Sequence, residues 1–376
     1  MKVLTLLGTR PEIIRLSRIV PLLQRHCDHV LVHTGQNHDY NLSGQFFAEL
    51  GYEPGPKYHL GATGSVAEQL AKIFTGMEYV LSAERPDRVL ILGDTNSSLS
   101  AIIARRMGYP VFHMEAGNRC FDRESPEEIN RHIIDHVSTI HLPYTEASRH
   151  NLHREGIDPA TIFVTGNPIW EVLQYYVMQE DDWPGIGTDE PFFIVTAHRQ
   201  ENVDNPLRLR NIIESLIAIS KEYPDHKIIV STHPRTANRI AESDMAKKWV
   251  YKVTDSMFVF RNTTDTRIIF RHPMGFREFV RLEAQASCVI TDSGTCQEEA
   301  CILGTPCVTI RDSTERPETL ETGANTLAGV EPDAILRCVA LAVSARRIAP
   351  DPPTDYKRAS TAQAVANIVL GHHSGL

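Results

Sequence analysis

The stretch KVLTLLGTRPEIIRLSRIVPLLQRHCDHVLVHT (residues 2–34) determines the predicted fold class. Two β-rich runs, at 2–7 and 29–34, flank a helical pattern from about Glu12 to His26. A strand, a helix and a second strand in this order predict a βαβ unit with parallel strands. Further β-rich runs occur at 88–92, 111–114, 192–197, 227–232, 288–291 and 307–310. We therefore predict an α/β protein with parallel sheets covered by helices.

The length of 376 residues is too great for one ordinary core and favours two domains. We expect an N-terminal domain at 1–180, a C-terminal domain at 188–350 and a last helix at 355–376 that packs back on the N-terminal domain. The acidic segment 181–191 contains two prolines and two glycines, which favours a linker there.

The composition excludes several classes of protein. A net charge of −9 argues against a nucleic-acid or anionic-membrane partner held by bulk charge, so local arginines must hold any anionic ligand. No apolar stretch is long enough to span a membrane, and the N-terminus lacks the features of a signal peptide. Seven cysteines without a CxxC motif favour a reducing compartment. We expect a cytoplasmic protein.

Polar residues stand where the predicted strands end. They are Gly8-Thr9-Arg10, Gly93-Asp94-Thr95, Glu115, His198-Arg199, His233 and Asp292-Ser293-Gly294. Ligands of open α/β sheets bind outside the carboxyl ends of the strands. The pattern predicts one cleft between two such sheets.

Three residues in the first half have both a functional and a structural interpretation. Arg10 and Arg15, at the start of a helix, suit a phosphate, whereas a surface arginine followed by proline at the first helical position is the alternative. Asp94 is either an acid or base of the site or the N-cap of the next helix.

Opposed charges crowd the segment HMEAGNRCFDRESPEEINR (113–131). Ser125 and Glu128 match a capping box, which gives Glu128 a structural role. Glu127 is then left to project into the cleft, with Arg131 one turn later on the same helical face. Glu115 and Glu127, together with Asp94, form the predicted proton-handling set.

The second half offers groups that suit a nucleotide. His198 and His233 end neighbouring strands and suit phosphate binding or proton transfer, although a lone histidine is more often structural. The turn at 293–295 begins a helix whose N–H groups suit a phosphate, and a glutamate one turn later suits a ribose. For Glu298 we favour stabilisation by the helix dipole. Arg316 is placed to close over the same phosphates.

Several known motifs are absent from the sequence. GxGxxG after the first strand, the P-loop pattern and the GxSxG elbow do not occur, which argues against a bound dinucleotide, a P-loop enzyme and an α/β-hydrolase. The metalloprotease motif HExxH does not appear, so we expect no metal.

The chain resembles the non-hydrolysing UDP-N-acetylglucosamine 2-epimerase family. The resemblance covers roughly residues 1–330 and rests on GTRPE (8–12), GDT (93–95), MEAGNR (114–119), PEEINR (126–131), TGNP (165–168), AHRQEN (197–202), STHP (231–234), DSGTCQEE (292–299) and RDSTERPE (311–318). It implies two Rossmann-like domains facing across a cleft, as in GT-B glycosyltransferases, and a homodimer without a cofactor.

The resemblance also implies roles for residues at the matching positions. Those that would hold UDP are Arg10, Arg15, His233, Ser293, Gly294, Thr295, Glu299 (on the ribose) and Arg316, with Met274 and Phe279 at the uracil. Those linked to catalysis are Asp94, Glu115, Glu127 and His198.

The sugar is open at this point. Arg15 stands where many members have lysine, and CFDRES (120–125) is shorter than in the common bacterial enzymes. The shorter segment, together with GTRPEIIRLSR (8–18) and HTGQNHDY (33–40), more closely resembles the branch that forms UDP-N-acetyl-L-fucosamine from its 6-deoxy-L-talo epimer. The first expectation is inversion of carbon 2 between UDP-N-acetylglucosamine and UDP-N-acetylmannosamine. A GT-B glycosyltransferase, a hydrolysing relative and a non-catalytic UDP-sugar sensor are the more distant alternatives.

Overall fold

A computed structural model describes residues 1–36, 40–177, 190–243, 249–254, 257–262, 267–345, 351–358 and 360–372. The chain divides into two compact units. The first unit contains Met1–Met178 and Thr354–Leu376, and the second contains Gln179–Pro353. Most of the predicted linker, residues 181–189, lies outside the described residues.

The first unit is built on a six-stranded parallel sheet in the order β3-β2-β1-β4-β5-β6. Its strands are β1 (Lys2–Leu7), β2 (Asp28–His33), β3 (Tyr58–His59), β4 (Arg88–Leu92), β5 (Val111–Met114) and β6 (Ile140–Leu142). Its helices are α1 (Arg10–Leu16), α2 (Val20–His26), α3 (Tyr40–Glu49), α4 (Val66–Glu84), α5 (Ala101–Arg106), α6 (Pro126–Val137), α7 (Glu146–Arg154) and α8 (Pro168–Tyr176), with α16 (Thr361–Gly371) from the end of the chain.

The second unit repeats this plan with a sheet in the order β11-β8-β7-β12-β13-β14. Its strands are β7 (Phe192–Thr196), β8 (Lys227–Ser231), β9 (Trp249–Thr254), β10 (Met257–Asn262), β11 (Ile268–Arg271), β12 (Cys288–Thr291), β13 (Cys307–Thr309) and β14 (Asn325–Leu327). Its helices are α9 (Gln200–Val203), α10 (Pro206–Glu222), α11 (Pro234–Glu242), α12 (Phe276–Gln285), α13 (Gly294–Leu303), α14 (Pro317–Glu321) and α15 (Pro332–Ala345). Strands β9 and β10 form a separate antiparallel pair, which the sequence interpretation did not include.

The order of strands has a direct consequence for ligand binding. In both sheets the chain winds outward from a central pair of strands, which is the doubly wound Rossmann order. The winding reverses between β1 and β4 in the first unit and between β7 and β12 in the second. Doubly wound sheets bind ligands at this reversal, beyond the carboxyl ends of the two strands.

The predicted helix from Glu12 to His26 is wrong in one respect. Two helices, α1 and α2, replace it, and the chain turns between Leu16 and Val20. Pro21 explains the break, because its ring has no N–H to donate to the carbonyl of Ser17 and would clash with that carbonyl in a continuous helix. As a result α1 is a short helix directly after β1.

The last helix packs on the first unit. Helix α16 contacts α2 and α8, and the buried guanidinium of Arg88, at the start of β4, donates to the carbonyls of Val369 and His372. These carbonyls lie at the end of α16 and lack partners within the helix. Arg88 therefore caps α16 and ties it to the centre of the sheet. Within the described ranges, no helix combines the length and apolar character that a membrane crossing needs.

Gly8, directly after β1, is required by close packing. A Cβ atom at this position would lie 2.0 Å from Oγ1 of Thr34 and 2.2 Å from Oγ of Ser97. These two buried hydroxyls are hydrogen-bonded to each other at 2.7 Å. A methyl group at residue 8 would break this hydrogen bond inside the core.

We expect Gly8→Ala to lower the free energy of unfolding by about 1–3 kcal/mol, the usual range for overpacking. Gly371→Ala is the control, because a Cβ atom at that exposed helical position meets nothing within 4 Å. Urea unfolding of both variants and of the unchanged protein measures the difference. Equal stability of the two variants would contradict the packing argument.

Candidate active site

Each unit places its candidate residues at the point where its sheet reverses direction. In the first unit, Gly8 to Arg10 follow β1, and Gly93 and Asp94 follow β4. In the second unit, His198 follows β7 and Asp292 follows β12. These positions form two sets of candidate residues, one in each unit.

Glu12 joins the turns after β1 and β4. Its carboxylate accepts hydrogen bonds from the backbone N–H groups of Gly8 and Thr9 and from the hydroxyl of Thr95, at 2.7 Å for Thr95. Its side chain is almost completely buried. Burial raises the pKa of Glu12 to about 7, although the hydrogen bonds from Thr95, Gly8 and Thr9 act in the opposite direction. Glu12 belongs to the GTRPE segment but was given no role from the sequence.

Glu115 follows β5 and forms a buried ion pair. Its Oε2 lies 2.6 Å from a guanidinium nitrogen of Arg15, and its Oε1 accepts from the amide of Asn118 at 3.2 Å. The backbone of Glu115 has φ of 68°, in the left-handed region. A non-glycine residue in this region costs on the order of 1–3 kcal/mol and persists only where its surroundings hold it. The sequence interpretation assigned Arg15 to a phosphate and did not include this pair.

Asp94 is held by α6. Its Oδ2 lies 2.9 Å from Arg131, and its carbonyl accepts from the amide of Asn130 at 2.9 Å. The alternative that Asp94 caps the next helix is wrong, because Thr95 occupies the N-cap position of a 3₁₀ helix at Asn96–Ser100 that precedes α5. The side chain of Asp94 is 24% exposed, so it remains partly accessible.

The predicted capping box at Ser125 is wrong in its contacts. The side chain of Ser125 caps no N–H group of α6, and the carboxylate of Glu128 accepts from the backbone N–H groups of Cys120 and Phe121 at 3.1 and 2.9 Å. Glu128 also pairs with Arg131 at 2.5 Å. Glu128 thus has the structural role that was expected of it, but it fixes the preceding loop and not the helix end.

Glu127 and Arg10 have more accessible positions. Glu127 is half-buried and accepts a hydrogen bond from the hydroxyl of Ser125 at 3.1 Å. The guanidinium of Arg10 lies 4.5 Å from the centre of the Phe46 ring, a cation–π contact. Each side chain is therefore in contact with a neighbouring residue, Ser125 for Glu127 and Phe46 for Arg10, and remains partly accessible.

A buried charge network lies behind these turns and was missed from the sequence. Asp135 of α6 is completely buried, and it contacts Nδ1 of His113 at 2.8 Å, Arg119 at 2.8 Å and the N–H of Gly117 at 3.1 Å. Arg119 also forms two hydrogen bonds to Glu155, at 2.6 and 2.7 Å. Arg119 therefore joins two carboxylates, those of Asp135 and Glu155.

The second unit has its own buried carboxylate. Asp292 is completely buried and accepts from the N–H groups of His198 and Arg199 and from the amide of Asn202, at 2.9–3.1 Å. Nδ1 of His198 lies 3.3 Å from Asp292, and the rings of His198 and His233 are 6.5 Å apart. The two histidines expected at neighbouring strand ends are thus close to each other.

Arg316 and Glu298 form a buried ion pair in the second unit. Helix-dipole stabilisation was expected for Glu298, but its carboxylate accepts a hydrogen bond from Nε of Arg316. Ser293 is the N-cap of α13 and Gly294 its first residue. A Cβ atom at Gly294 would lie 2.5 Å from the carboxylate of Glu315. A side chain at position 294 would therefore displace the carboxylate of Glu315 from the start of α13, which Thr295 continues.

The residues expected at the uracil and the ribose are buried. Met274 and Phe279 belong to an apolar cluster on one face of the second sheet. The carboxylate of Glu299 lies within 4.8 Å of the carboxylate of Glu283 and of the thiol of Cys296. Burial raises the pKa of the Cys296 thiol well above its usual range, and this disfavours the thiolate form that binds metals.

Comparison with known proteins identifies the family. The model of a family described as UDP-N-acetylglucosamine 2-epimerase matches residues 22–370. The chain is 42% identical to the UDP-N-acetylglucosamine 2-epimerase of Methanocaldococcus jannaschii over 357 residues, which are 92% of this chain and 93% of that protein. The chain belongs to the UDP-N-acetylglucosamine 2-epimerase family.

Further members of the family support the assignment. A UDP-N-acetylglucosamine 2-epimerase of Methanococcus maripaludis is 38% identical over 379 residues, with 98% of each chain covered. The crystal structure of the M. jannaschii enzyme in complex with UDP-GlcNAc and UDP matches with a TM-score of 0.90 at 38% identity, covering 99% of this chain and 100% of that chain. The predicted fold class, two Rossmann-like domains of the GT-B-like type, is confirmed.

The comparisons also bear on the branch of the family. The resemblance to the non-hydrolysing UDP-N-acetylglucosamine 2-epimerases is confirmed. The relatives named above are UDP-N-acetylglucosamine 2-epimerases, so they give the fucosamine-forming alternative no additional support.

We expect Glu12 to make the protein less stable as the pH rises. An unfolded chain loses this proton near pH 4.5, whereas the folded chain keeps it until about pH 7. The stabilisation is therefore complete below pH 4.5 and decreases by roughly 3 kcal/mol as the pH rises through the folded pKa. Glu12→Gln should remove this component, because the amide can accept from Gly8 and Thr9 and donate to Thr95.

Urea unfolding at pH 5 and pH 8 tests this expectation. The difference in free energy of unfolding between the two pH values should be smaller in Glu12→Gln than in the unchanged protein. Glu124→Gln is the control, because Glu124 is exposed. An identical pH dependence in all three proteins would contradict the buried, protonated state of Glu12.

Proposed function

We propose that this protein inverts carbon 2 of a UDP-N-acetylhexosamine, interconverting UDP-N-acetylglucosamine and UDP-N-acetylmannosamine. The observation that supports this function best is the pair of charged turns in the first unit. Glu115 and Asp94, at the ends of neighbouring strands, each face an arginine of their own, at 2.6 and 2.9 Å. Such a set of carboxylates suits proton transfer at a sugar ring.

The chemistry explains why several acids are needed. The hydrogen on carbon 2 is not adjacent to a carbonyl, so simple deprotonation is very difficult. Expulsion of UDP from carbon 1 while a base removes this proton gives 2-acetamidoglucal. Re-addition of UDP with protonation from the opposite face inverts the centre. The route requires an acid or base on each face and cations at the diphosphate.

We assign proton handling to Glu115, Asp94 and Glu127, with His198 as a further catalytic group. Arg15 lies 2.6 Å from Glu115 and holds its carboxylate in position. Glu127, with a serine hydroxyl as a neighbour, is the candidate for the opposite face.

We assign UDP binding chiefly to the second unit. The N–H groups at the start of α13 and the cations around it suit a diphosphate. The proposed UDP-binding residues are Arg10, His233, Ser293, Gly294, Thr295, Glu299 and Arg316, with Met274 and Phe279 at the base. Arg15, by contrast, is proposed to act on Glu115.

Location and assembly are part of the proposal. None of the seven cysteines, all within the described residues, forms a disulfide, which supports a cytoplasmic enzyme.

Ile129 and Ile133 lie one turn apart on α6 and are 54% and 37% exposed. These exposed apolar side chains support a homodimer. Light scattering, which measures the mass in solution, tests this assembly.

Proton NMR in heavy water tests the reaction. Incubation with UDP-N-acetylglucosamine should introduce deuterium at carbon 2 and produce UDP-N-acetylmannosamine. Exchange with only the UDP-6-deoxy-L-talo compound would assign the protein to the fucosamine-forming branch. Release of free sugar would indicate hydrolysis. No exchange with either compound would reject the proposal and favour a glycosyltransferase or a sensor.

We expect Glu115→Gln and Glu127→Gln each to lower turnover by roughly 10²–10⁴-fold, the usual contribution of a positioned acid or base. Titration calorimetry with UDP should give an unchanged dissociation constant, because neither side chain is assigned to the nucleotide. Glu124→Gln, in the same charged segment but exposed, is the matched control and should keep full turnover. Near-normal turnover of both site variants would reject the assignment.

A further inference from the structure

His113 lies in β5, and both of its ring nitrogens face acceptors. Nδ1 is 2.8 Å from Oδ1 of Asp135, and Nε2 is 3.1 Å from the carbonyl oxygen of Gly93. The side chain is almost completely buried. A ring that donates from both nitrogens satisfies both acceptors, whereas a ring with one proton leaves a lone pair against one of them.

The two contacts connect the turns that carry the proposed acids. Gly93 directly precedes Asp94, so the bond from Nε2 holds the turn after β4. The second oxygen of Asp135 accepts the N–H of Gly117, two residues after Glu115, at 3.1 Å. The chain of contacts from Gly93 through His113 and Asp135 to Gly117 therefore links the two turns.

The turn at Glu115 depends on such contacts. Its left-handed backbone is strained and requires neighbours that hold it in place. Gly117 also has a positive φ, of 80°, and a Cβ atom there would lie 2.2 Å from the carbonyl oxygen of Ser148. Gly117 thus packs closely against α7 while its N–H donates to Asp135. Asp135 fixes the turn from one side while Arg15 fixes the carboxylate of Glu115 from the other.

We propose that His113 and Asp135 are positioning residues of the epimerase reaction, which set the geometry of the turns that carry Asp94 and Glu115. This inference rests on the function proposed above. Neither side chain needs to touch the substrate. Their effect is on the distance and direction of the two proton-transferring carboxylates, where an error of about 1 Å can lower the rate by a factor of about 10².

The charges around His113 are consistent with this role. Asp135 faces it from α6, and His141 is its register partner on β6 and donates to the carbonyl of Asp135. Arg119, from the loop, contacts the far oxygen of Asp135 and is itself neutralised by Glu155. Asp135 thus has hydrogen-bonding partners on both of its oxygens inside the first unit.

Two substitutions separate the contacts of His113. An asparagine amide reaches about as far as Nδ1, so His113→Asn retains a donor to Asp135 and loses the bond to Gly93. A glutamine amide reaches about as far as Nε2, so His113→Gln retains the hydrogen bond to the carbonyl of Gly93 and loses the contact with Asp135. Each variant breaks the connection at one link. We expect each to lower kcat by roughly 10–100-fold, with the UDP dissociation constant unchanged.

His29→Gln is the matched control. His29 is another strand histidine of the same sheet, and it contacts the hydroxyl of Thr5 at 2.9 Å. We expect this variant to lose stability but to keep its kcat. Wild-type kcat in both His113 variants would overturn the inference, even if they were less stable, since the role of His113 would then be structural only. An equal loss of kcat in His29→Gln would overturn it too.

A second measurement remains available if the His113 variants do not fold. Nitrogen-15 NMR of the histidine-labelled protein reports which ring nitrogens carry hydrogen. Hydrogen on both nitrogens of His113 at the pH of the assay supports the connection, and one bare nitrogen overturns it. This readout does not depend on activity. Failure of the wild-type protein to exchange hydrogen at carbon 2 would instead reject the proposed function.

Discussion

The buried carboxylate of Asp135 is the constraint on which the first unit's site depends. A charge taken out of water is very unfavourable unless partners replace its hydration. Burial alone would raise the pKa of Asp135, but the hydrogen bond and charge of His113 and the charge of Arg119 lower it well below its usual range. Asp135 therefore stays ionised and requires all of its partners. Because these come from β5 and from the loop that follows it, which carries both Arg119 and Gly117, satisfying one charge fixes both segments against α6.

The second unit also contains a buried carboxylate, but a different set of groups compensates its charge. Asp292, also completely buried, holds its turn through the backbone N–H groups of His198 and Arg199 and the amide of Asn202. In the first unit the buried acid lies on a helix, and its strongest partners are charged side chains. The first arrangement holds the turn after β5, and the second holds the turn after β7, beside the reversal of its sheet. The rigidity of these turns follows from the need to compensate a buried charge, and not from the sheet alone.

Much of the fold could be predicted from the sequence, and less of the site. Strand positions such as β4 and β12 follow from short apolar runs, because burial of both faces of a parallel sheet leaves a strong pattern. The hydrogen-bond and ion-pair partners of the site residues leave no such pattern in the sequence. Glu128 fits a capping box by spacing, yet it accepts from Cys120 and Phe121, since the loop returns to it in three dimensions. His113 is recognisable in the sequence as a polar residue inside an apolar strand. Its partner Asp135, however, is 22 residues away, so the sequence does not reveal the pair.

The strained backbone of Glu115 is maintained because the buried charge of Asp135 requires the N–H of Gly117, two residues later. A left-handed glutamate would relax if its turn were held only by solvent-exposed contacts, because relaxation would release its strain. Relaxation here would move Gly117 away from Asp135 and leave a buried carboxylate with one donor fewer. The cost of an unsatisfied buried charge exceeds the strain of one backbone torsion. The strained conformation is therefore the lower in free energy, and Glu115 stays directed at Arg15.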